Sequence, residues 1–442
     1  MNIGLSDHFT YRKLIRFTLP SIVMMVFTSI YGVVDGFFVS NFVGKTSFAA
    51  VNLIMPFLMI LGALGFMFGT GGSALVAKTM GEGDMTRAKR IFSLLIYTSA
   101  AVGAVIALVG ILFLRPVAEL LGAEGELLRD CVTYGRIILV ALPAFMLQME
   151  FQSFFITAEK PQLGLWATVA AGVINMVLDA LLVGVFSWGL EGAALATGIS
   201  QLVGGVIPLV YFSHPNSSLL ALGKTNFDGH ALLKTCINGS SELMSNISMS
   251  VVGMLYNLQL LKYAGENGIA AYGVLMYVGF IFASMFIGYS IGVAPVIGYH
   301  DGAQNHGEMK SLFRKSIVIV GAFSLCMVVS ALVLASPLSH LFVGYDEALL
   351  NLTKSGFFVY AFAFLFMGYA IFSSGFFTAL NDGVTSAIIS FLRTVLFQVT
   401  AVLLLPLVLG IDGIWWSIVI AELMAVAVSA VFLWIKRGKY HY

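Results

Sequence analysis

The stretch IFSLLIYTSAAVGAVIALVGILFL, residues 91–114, runs for 24 residues without a charged side chain or a proline. As an α-helix rising 1.5 Å per residue it is about 36 Å long, enough to cross a hydrocarbon layer of about 30 Å. A strand of a membrane barrel would alternate apolar and polar positions over about ten residues, and this run does not. Eleven comparable runs accompany it. The predicted spans are 15–39, 47–77, 91–114, 131–158, 163–188, 192–212, 235–261, 268–298, 316–338, 355–381, 383–411 and 413–435. The whole chain of 442 residues is 59% hydrophobic and 10% charged. Soluble domains carry about 25% charged residues, so this chain has too few to clothe a soluble surface. The sequence therefore predicts an all-α polytopic membrane protein. It excludes a disordered chain, a collagen-like repeat and, with three cysteines (Cys131, Cys236, Cys326), an evenly paired disulfide framework. A net charge of +1 gives no signature for binding nucleic acid.

The first 14 residues are polar, and the run after them is too long for the core of a removable signal and has no cleavage site. The first span is expected to stay in the membrane. Twelve spans put both termini on one side, where sixteen Lys and Arg gather, among them Arg12, Lys78, Arg87, Lys234, Lys315 and Lys436. Six fall on the other side: Lys45, Arg115, Arg129, Arg136, Lys262 and Lys354. This bias places both termini in the cytoplasm, and the protein in the inner (plasma) membrane of the cell.

Shifting the chain against itself by 221 residues, half its length, aligns Gly44, Ala49 and Ala50 with Gly265, Ala270 and Ala271. The same shift lays Ser153, Phe155, Thr157 and Ala158 on Ser374, Phe376, Thr378 and Ala379, and Gly81 on Gly302. It also superposes the turn at Gly189–Gly192 on the turn at Gly410–Gly413. One offset serves the whole length, as duplication requires. The halves, 1–221 and 222–442, are expected to be six-helix lobes entering the membrane from the same face, a parallel repeat joined through the polar segment 213–234.

A charge inside the bilayer needs a reason, because inserting one at the centre costs about 2.5–3.5 kcal/mol on insertion scales. Five acids stand in the spans: Asp35, Glu150, Asp179, Glu242 and Glu422. Asn175 precedes Asp179 by one helical turn, so both project from one face. Counting down the helices puts Asp35 about 6 Å, Asp179 about 14 Å and Thr197 about 8 Å from the ends remote from the termini. These four groups, on three spans of one half, can converge. Carboxylate, amide and hydroxyl oxygens suit a hard cation such as Na⁺. Alternatively, two poorly solvated acids side by side cannot both ionise easily, and one holds a proton. The plain structural alternative is a hydrogen-bonded cluster that glues helices. Across the 221-residue shift, Asp35, Asn175, Asp179 and Thr197 face Tyr256, Leu396, Thr400 and Ile418, so the cation chemistry is expected in the first half only.

The remaining acids have other readings. Gln148, Glu150 and Gln152 could line a wet cavity or serve as helix glue. Glu242 with Asn246, Tyr256 and Asn257 could form a second polar patch of a substrate cavity, or Glu242 could snorkel to water. Glu422 and Arg393, on consecutive spans, read as a structural ion pair. Pro20 removes a backbone hydrogen bond from the first span and is expected to bend it. The abundant Phe and Met are mostly lipid-facing or core-filling, and secondarily an adaptable lining for varied apolar ligands.

Taken in order, twelve spans in two halves, Pro20 followed by Asp35, Asn175-x-x-x-Asp179 in the fifth span and Thr197 in the sixth resemble the multidrug and toxic compound extrusion (MATE) family. The loops Gly81-Glu-Gly-Asp84 and Gly302-Ala-Gln-Asn305 resemble that family's paired loops. The resemblance implies a V-shaped pair of lobes and an antiporter in which inward Na⁺ or H⁺ drives out organic, often cationic compounds such as amphipathic drugs. It implies that Asp35, Asn175, Asp179 and Thr197 form the cation-coupling site and that Pro20 sits at the bend of the first helix. One branch of the family also has acids in the seventh and tenth spans. Here the tenth has none and Glu242 lies near its helix start, so the resemblance does not extend to a second-lobe ion site. No cofactor and no nucleic-acid partner is expected, and the protein is expected to act as a monomer in the lipid bilayer.

Other classes fare worse. All seven histidines are expected in loops or tails and there is no HExxH motif, which argues against a metalloenzyme. Gly44-Lys45-Thr46 mimics the end of a phosphate loop, but Val39 stands where the leading glycine belongs. A flippase for lipid-linked sugars, a member of the same wider superfamily by resemblance, should need several buried cations for a pyrophosphate, and only Arg136 and Arg393 lie in spans. A passive channel fits two coupled acids in one half poorly.

Overall fold

The computed structural model describes residues 3–442, apart from the side chains of Ser40 and Lys45. The first lobe comprises α1 (Tyr11–Phe38), α2 (Lys45–Gly81), α3 (Met85–Leu120), α4 (Gly125–Thr157), α5 (Pro161–Leu178) and α6 (Gly189–Ser213). The second comprises α7 (Gly229–Gly302), α8 (His306–Val343), α9 (Glu347–Tyr360), α10 (Phe364–Ala379), α11 (Gly383–Phe391), α12 (Gln398–Leu409) and α13 (Ile411–Tyr440). Among the described residues, eleven helical segments are long and apolar enough to cross a membrane. One of them, α7, has 74 residues, about 110 Å if straight, far more than one crossing needs. It is broken at Gly265, whose φ of 65° is in the region only glycine enters cheaply, and so supplies both the seventh and the eighth span.

The tenth span is α9 and α10 joined through Ala361–Ala363, and the eleventh is α11 and α12 joined through a π-helical turn, Leu392–Phe397. Most helices run past their apolar stretches by a turn or more, because polar residues at the interface still complete backbone hydrogen bonds. That extension moves four of the histidines expected in loops, His230, His300, His306 and His340, onto the end turns of α7 and α8.

The duplication is visible in the backbone. Gly83 and Gln304 both have positive φ, as do Gly44 and Gly265, and Gly189 and Gly410 (63° and 62°), each pair separated by the 221-residue shift. Asp84 caps α3 by accepting from the Arg87 amide, and its counterpart Asn305 caps α8 by accepting from Glu308.

The lobes meet at the end that carries both termini, here called the terminal side. There α2 and α7 touch backbone to backbone: a methyl added at Gly239 would overlap the Met67 carbonyl, and one at Gly81 would overlap that of Tyr299. Lys78 pairs with Asp301 at 2.9 Å across this seam, and the Asn381 amide donates to the Ala74 carbonyl at 3.1 Å. The amino-terminal segment straps the same end. The Leu5 amide donates to Glu159 of the first lobe (2.6 Å), and the Phe9 amide to Glu308 of the second (2.9 Å). Midway along α1, Ser29 and Ser284 still touch at 3.4 Å. Beyond them, Gly32 and Gly36 of α1 and Gly253 and Gly273 of α7 have open space where a side chain would stand. The cleft between the lobes therefore opens on the side remote from the termini.

The carboxy terminus is tied back by Asp382 at the start of α11, which accepts from Tyr440 (2.9 Å), from the Thr385 amide (3.3 Å) and from Lys436 (3.1 Å). Burial works to raise its pKa, but the donors from Thr385, Tyr440 and Lys436 outweigh it and hold the carboxyl below the ordinary range. A folded value below the unfolded one gives stability that is present above the unfolded value and fades as pH falls through the folded one. Acidification is therefore expected to lower the thermal midpoint of the detergent-solubilised protein more in the wild type than in Asp382→Asn, which a pair of melts at neutral and acid pH measures.

Candidate cation site

Four side chains predicted from three spans converge near the open end of the first lobe. Asp35 comes from the last turn of α1, Asn175 from the last turn of α5, and Asp179 begins the π-helical turn Asp179–Val185 that continues α5. Thr197 comes from α6. The Thr197 hydroxyl donates to Asp35 Oδ1 at 3.2 Å and accepts from Asn175 Nδ2 at 3.5 Å. The Asp35 and Asp179 carboxyls are neighbours in this cluster. Asn175 and Asp179 are fully buried, whereas Asp35 and Thr197 are half-buried and stand nearer the cleft. Three oxygens, Asn175 Oδ1 and both of Asp179, have no hydrogen-bond donor.

Oxygens without donors beside a second acid are the chemistry of a cation receptor. No lysine, arginine or histidine pairs with these acids among the described residues. Ionising both would leave two negative charges uncompensated in a poorly solvated place, which costs several kcal/mol unless a proton or a cation accompanies them. The set of two carboxylates, an amide oxygen and a hydroxyl fits one small hard cation, and equally one proton shared between the acids.

Tyr134 of α4 and Tyr31 of α1 also border the acids, and sequence reasoning did not single them out. Tyr134 lies nine residues into α4, about 14 Å deep, the same layer as Asp179, so the depth count that gathered the other groups could have found it. Pro20 lies buried within α1, which continues as helix on both sides of it, one hydrogen bond to the Arg16 carbonyl poorer.

The other candidates are placed differently. Of the two readings of Gln148, Glu150 and Gln152, lining of a wet cavity or helix glue, their exposures of 4%, 0% and 4% fit the second. The reason is the close approach of neighbouring helices, with Gly204 of α6 against Gln148 and Gly69 of α2 against the Glu150 backbone. Tyr256 is likewise buried and stacks on Tyr272 of the other limb of α7, with centroids 5.3 Å apart and planes within 1°. Glu242, Asn246 and Asn257 are half-buried, and the Asn246 amide donates to the Glu242 carbonyl one turn back.

Arg393 and Glu422 form the expected pair, with Nε and Nη2 reaching Glu422 Oε1 at 3.1 and 2.9 Å and Nε reaching Oε2 at 2.9 Å. Glu422 is buried, so removing one partner strands the other. Arg393→Ala is expected to destabilise the protein by about 3–5 kcal/mol, and Arg393→Ala with Glu422→Gln to recover much of that loss, as read from thermal unfolding in detergent.

The chain matches the family described as MatE twice, over residues 20–181 and again over 243–403. It is 25% identical over 437 residues to the multidrug export protein MepA of Staphylococcus aureus (strain MRSA252), covering 97% of this chain and 94% of that protein. Its fold superposes on a crystal structure of MATE in complex with MaL6 with a TM-score of 0.93, at 22% identity and 98% coverage of both chains. A second structure, described as the outward-facing conformation of a multidrug resistance MATE family transporter of the MOP superfamily, gives 0.92 at 22% identity, covering 98% of this chain and 97% of that one.

Proposed function

Since this chain belongs to the MatE family, we propose that it exports drugs and other organic, often cationic compounds across the cell membrane, driven by exchange for Na⁺ or H⁺. The observation that carries this reading is the pair Asp35 and Asp179, brought together from two helices with Asn175 and Thr197 and with no base beside them. Coupling demands that the ion bind the two conformations of the transporter differently, since an ion with equal affinity for both drives nothing. With the lobes sealed on the terminal side and the cleft open on the other, Asp35 faces an accessible route. Ion entering there neutralises the acids, changes which packing of α1 is favoured, and displaces substrate outward.

The cleft between Asp35 and the half-buried face of α7 with Glu242, Asn246 and Asn257 is the substrate route in this proposal. Both termini lie in the cytoplasm, where the Lys and Arg gather, and the monomer is the working unit. Lipid-linked sugar transport receives less support, because Arg393 is committed to Glu422 and Arg136 is exposed outside the first-lobe cluster.

Purified protein in liposomes tests the proposal. Movement of a fluorescent organic cation is followed under an imposed Na⁺ gradient and, separately, under an imposed pH gradient. Uphill movement under at least one of them is expected. Movement of a lipid-linked sugar without movement of organic cations would replace this reading with the flippase.

A further inference from the structure

Glu150 lies seven residues before the end of α4, far along the helix from Tyr134 and the Asp35 cluster, and is fully buried. Both of its carboxyl oxygens lack a hydrogen-bond donor. Among the described residues no ion pair includes it. The helices packed around it supply no charge. α3 presents Ser99, buried and with its own hydroxyl unpartnered, and α2 presents Gly69, where an added methyl would stand 3.0 Å from the Glu150 Cα. On α4 itself the polar neighbours are Gln148 and Gln152, both uncharged at any pH, and α6 meets Gln148 with Gly204.

A bare carboxylate cannot be sustained in such surroundings, and one carboxyl with one hydroxyl offers too few oxygens to hold a metal ion. The group that neutralises Glu150 is a proton. Its position gives that proton a consequence. Gly69 and Gly71 of α2 are two residues apart, about 200° around the helix, and so point to nearly opposite sides. Gly69 rests on Glu150, whereas Gly71 rests on the Thr235 carbonyl and Gly239 of the second lobe. One turn of α2 is thus the wall between the buried acid and the seam that seals the terminal side.

We propose that Glu150 is a proton site separate from the Asp35 cluster, one that exchanges with water on the terminal side and keeps the lobes sealed there while it is loaded. When the lobes part at the Gly71–Gly239 contact, α2 loses its support, water reaches the carboxyl, and the O–H bond breaks with the proton passing to that water. By linkage, withdrawing the proton favours the parted state. The inference deepens the reading of the chain as an ion-coupled exporter and rests on it for its purpose, but its test does not require transport.

Spin labels on the exposed Lys89 of α3 and Lys310 of α8, each exchanged for cysteine after the native cysteines are replaced, report the separation of the lobes at the terminal side. The full chain is measured in liposomes at stepped pH. His8, His300, Asp301 and Glu308 are further ionisable side chains at that end, so the decisive comparison is between variants. In the wild type the long-distance population is expected to grow as pH rises, and in Glu150→Gln, which imitates the loaded acid, this growth is lost. Asp35→Asn with Asp179→Asn is expected to keep it, which separates this site from the coupling cluster. A pH response in Glu150→Gln equal to that of the wild type overturns the proposal, as does a wild type without any response. Should Glu150→Gln not fold, Glu150→Asp must displace the midpoint of the response, and an unmoved midpoint overturns the proposal as well.

Discussion

Asp35→Asn is expected to reduce gradient-driven efflux of an organic cation to the level of protein-free vesicles while leaving expression and thermal stability close to the wild type. The substitution keeps the size of the side chain and its ability to accept from Thr197. It removes the charge that distinguishes a filled site from an empty one. Asp35 is the half-buried member of the acid pair, the one nearer the cleft, so it governs entry of the ion as well as its retention. Because the loss falls on coupling and not on the fold, substrate binding measured at equilibrium is expected to survive. Efflux at wild-type rates in this variant would remove Asp35 from the mechanism.

Gly239→Val is expected to produce a comparably large loss by a different route. The Gly239 Cα faces the Met67 carbonyl with no room for a side chain, and the contact is backbone, which cannot rotate aside. The added bulk is accommodated only if the lobes separate on the terminal side. The protein is therefore expected to fold, to lose uphill efflux, and to expose the neighbouring Cys236. That thiol is half-buried near the seam, while Cys326 is exposed and Cys131 is buried. With Cys326 replaced by serine, the alkylation rate of Cys236 at fixed pH should rise severalfold over the matched control. An unchanged rate in a folded variant would show that the seam tolerates the side chain and that its closeness is not what holds the lobes together.

These two predictions draw on different kinds of information, and the sequence carried them unequally. The acids of the first lobe were legible because a charge in an apolar run is conspicuous, and counting depth along each helix put Asp35, Asp179 and Thr197 in neighbouring layers. Tyr134 lies in the same layer but was passed over, since a tyrosine in a span raises no alarm. The seam was not legible at all. Gly71 and Gly239 lie 168 positions apart in regions of ordinary composition, and only their juxtaposition gives them meaning.

The twelve spans could be counted from hydropathy, the break at Gly265 between the seventh and eighth included, yet the π-helical turn at Asp179 follows from local geometry that apolarity does not encode. Which of the two readings of Gln148, Glu150 and Gln152 holds could not be read from the sequence for a related reason. Polar side chains in a span suggest contact with water, but the glycines of α2 and α6 bring helices close enough to bury them. Arg393 and Glu422 succeeded because two opposite charges on consecutive spans have few other ways to be tolerated.

The exchange itself can be measured in reverse. If ion and substrate share the cycle, linkage requires that an outward-directed gradient of organic cation, with no ion gradient imposed, pull Na⁺ or H⁺ into vesicles containing the wild-type protein. The account predicts such uptake and its disappearance in both Asp35→Asn and Asp179→Asn. Ion uptake that persists undiminished in those variants, or substrate that leaves the wild type with no ion moving at all, would contradict it.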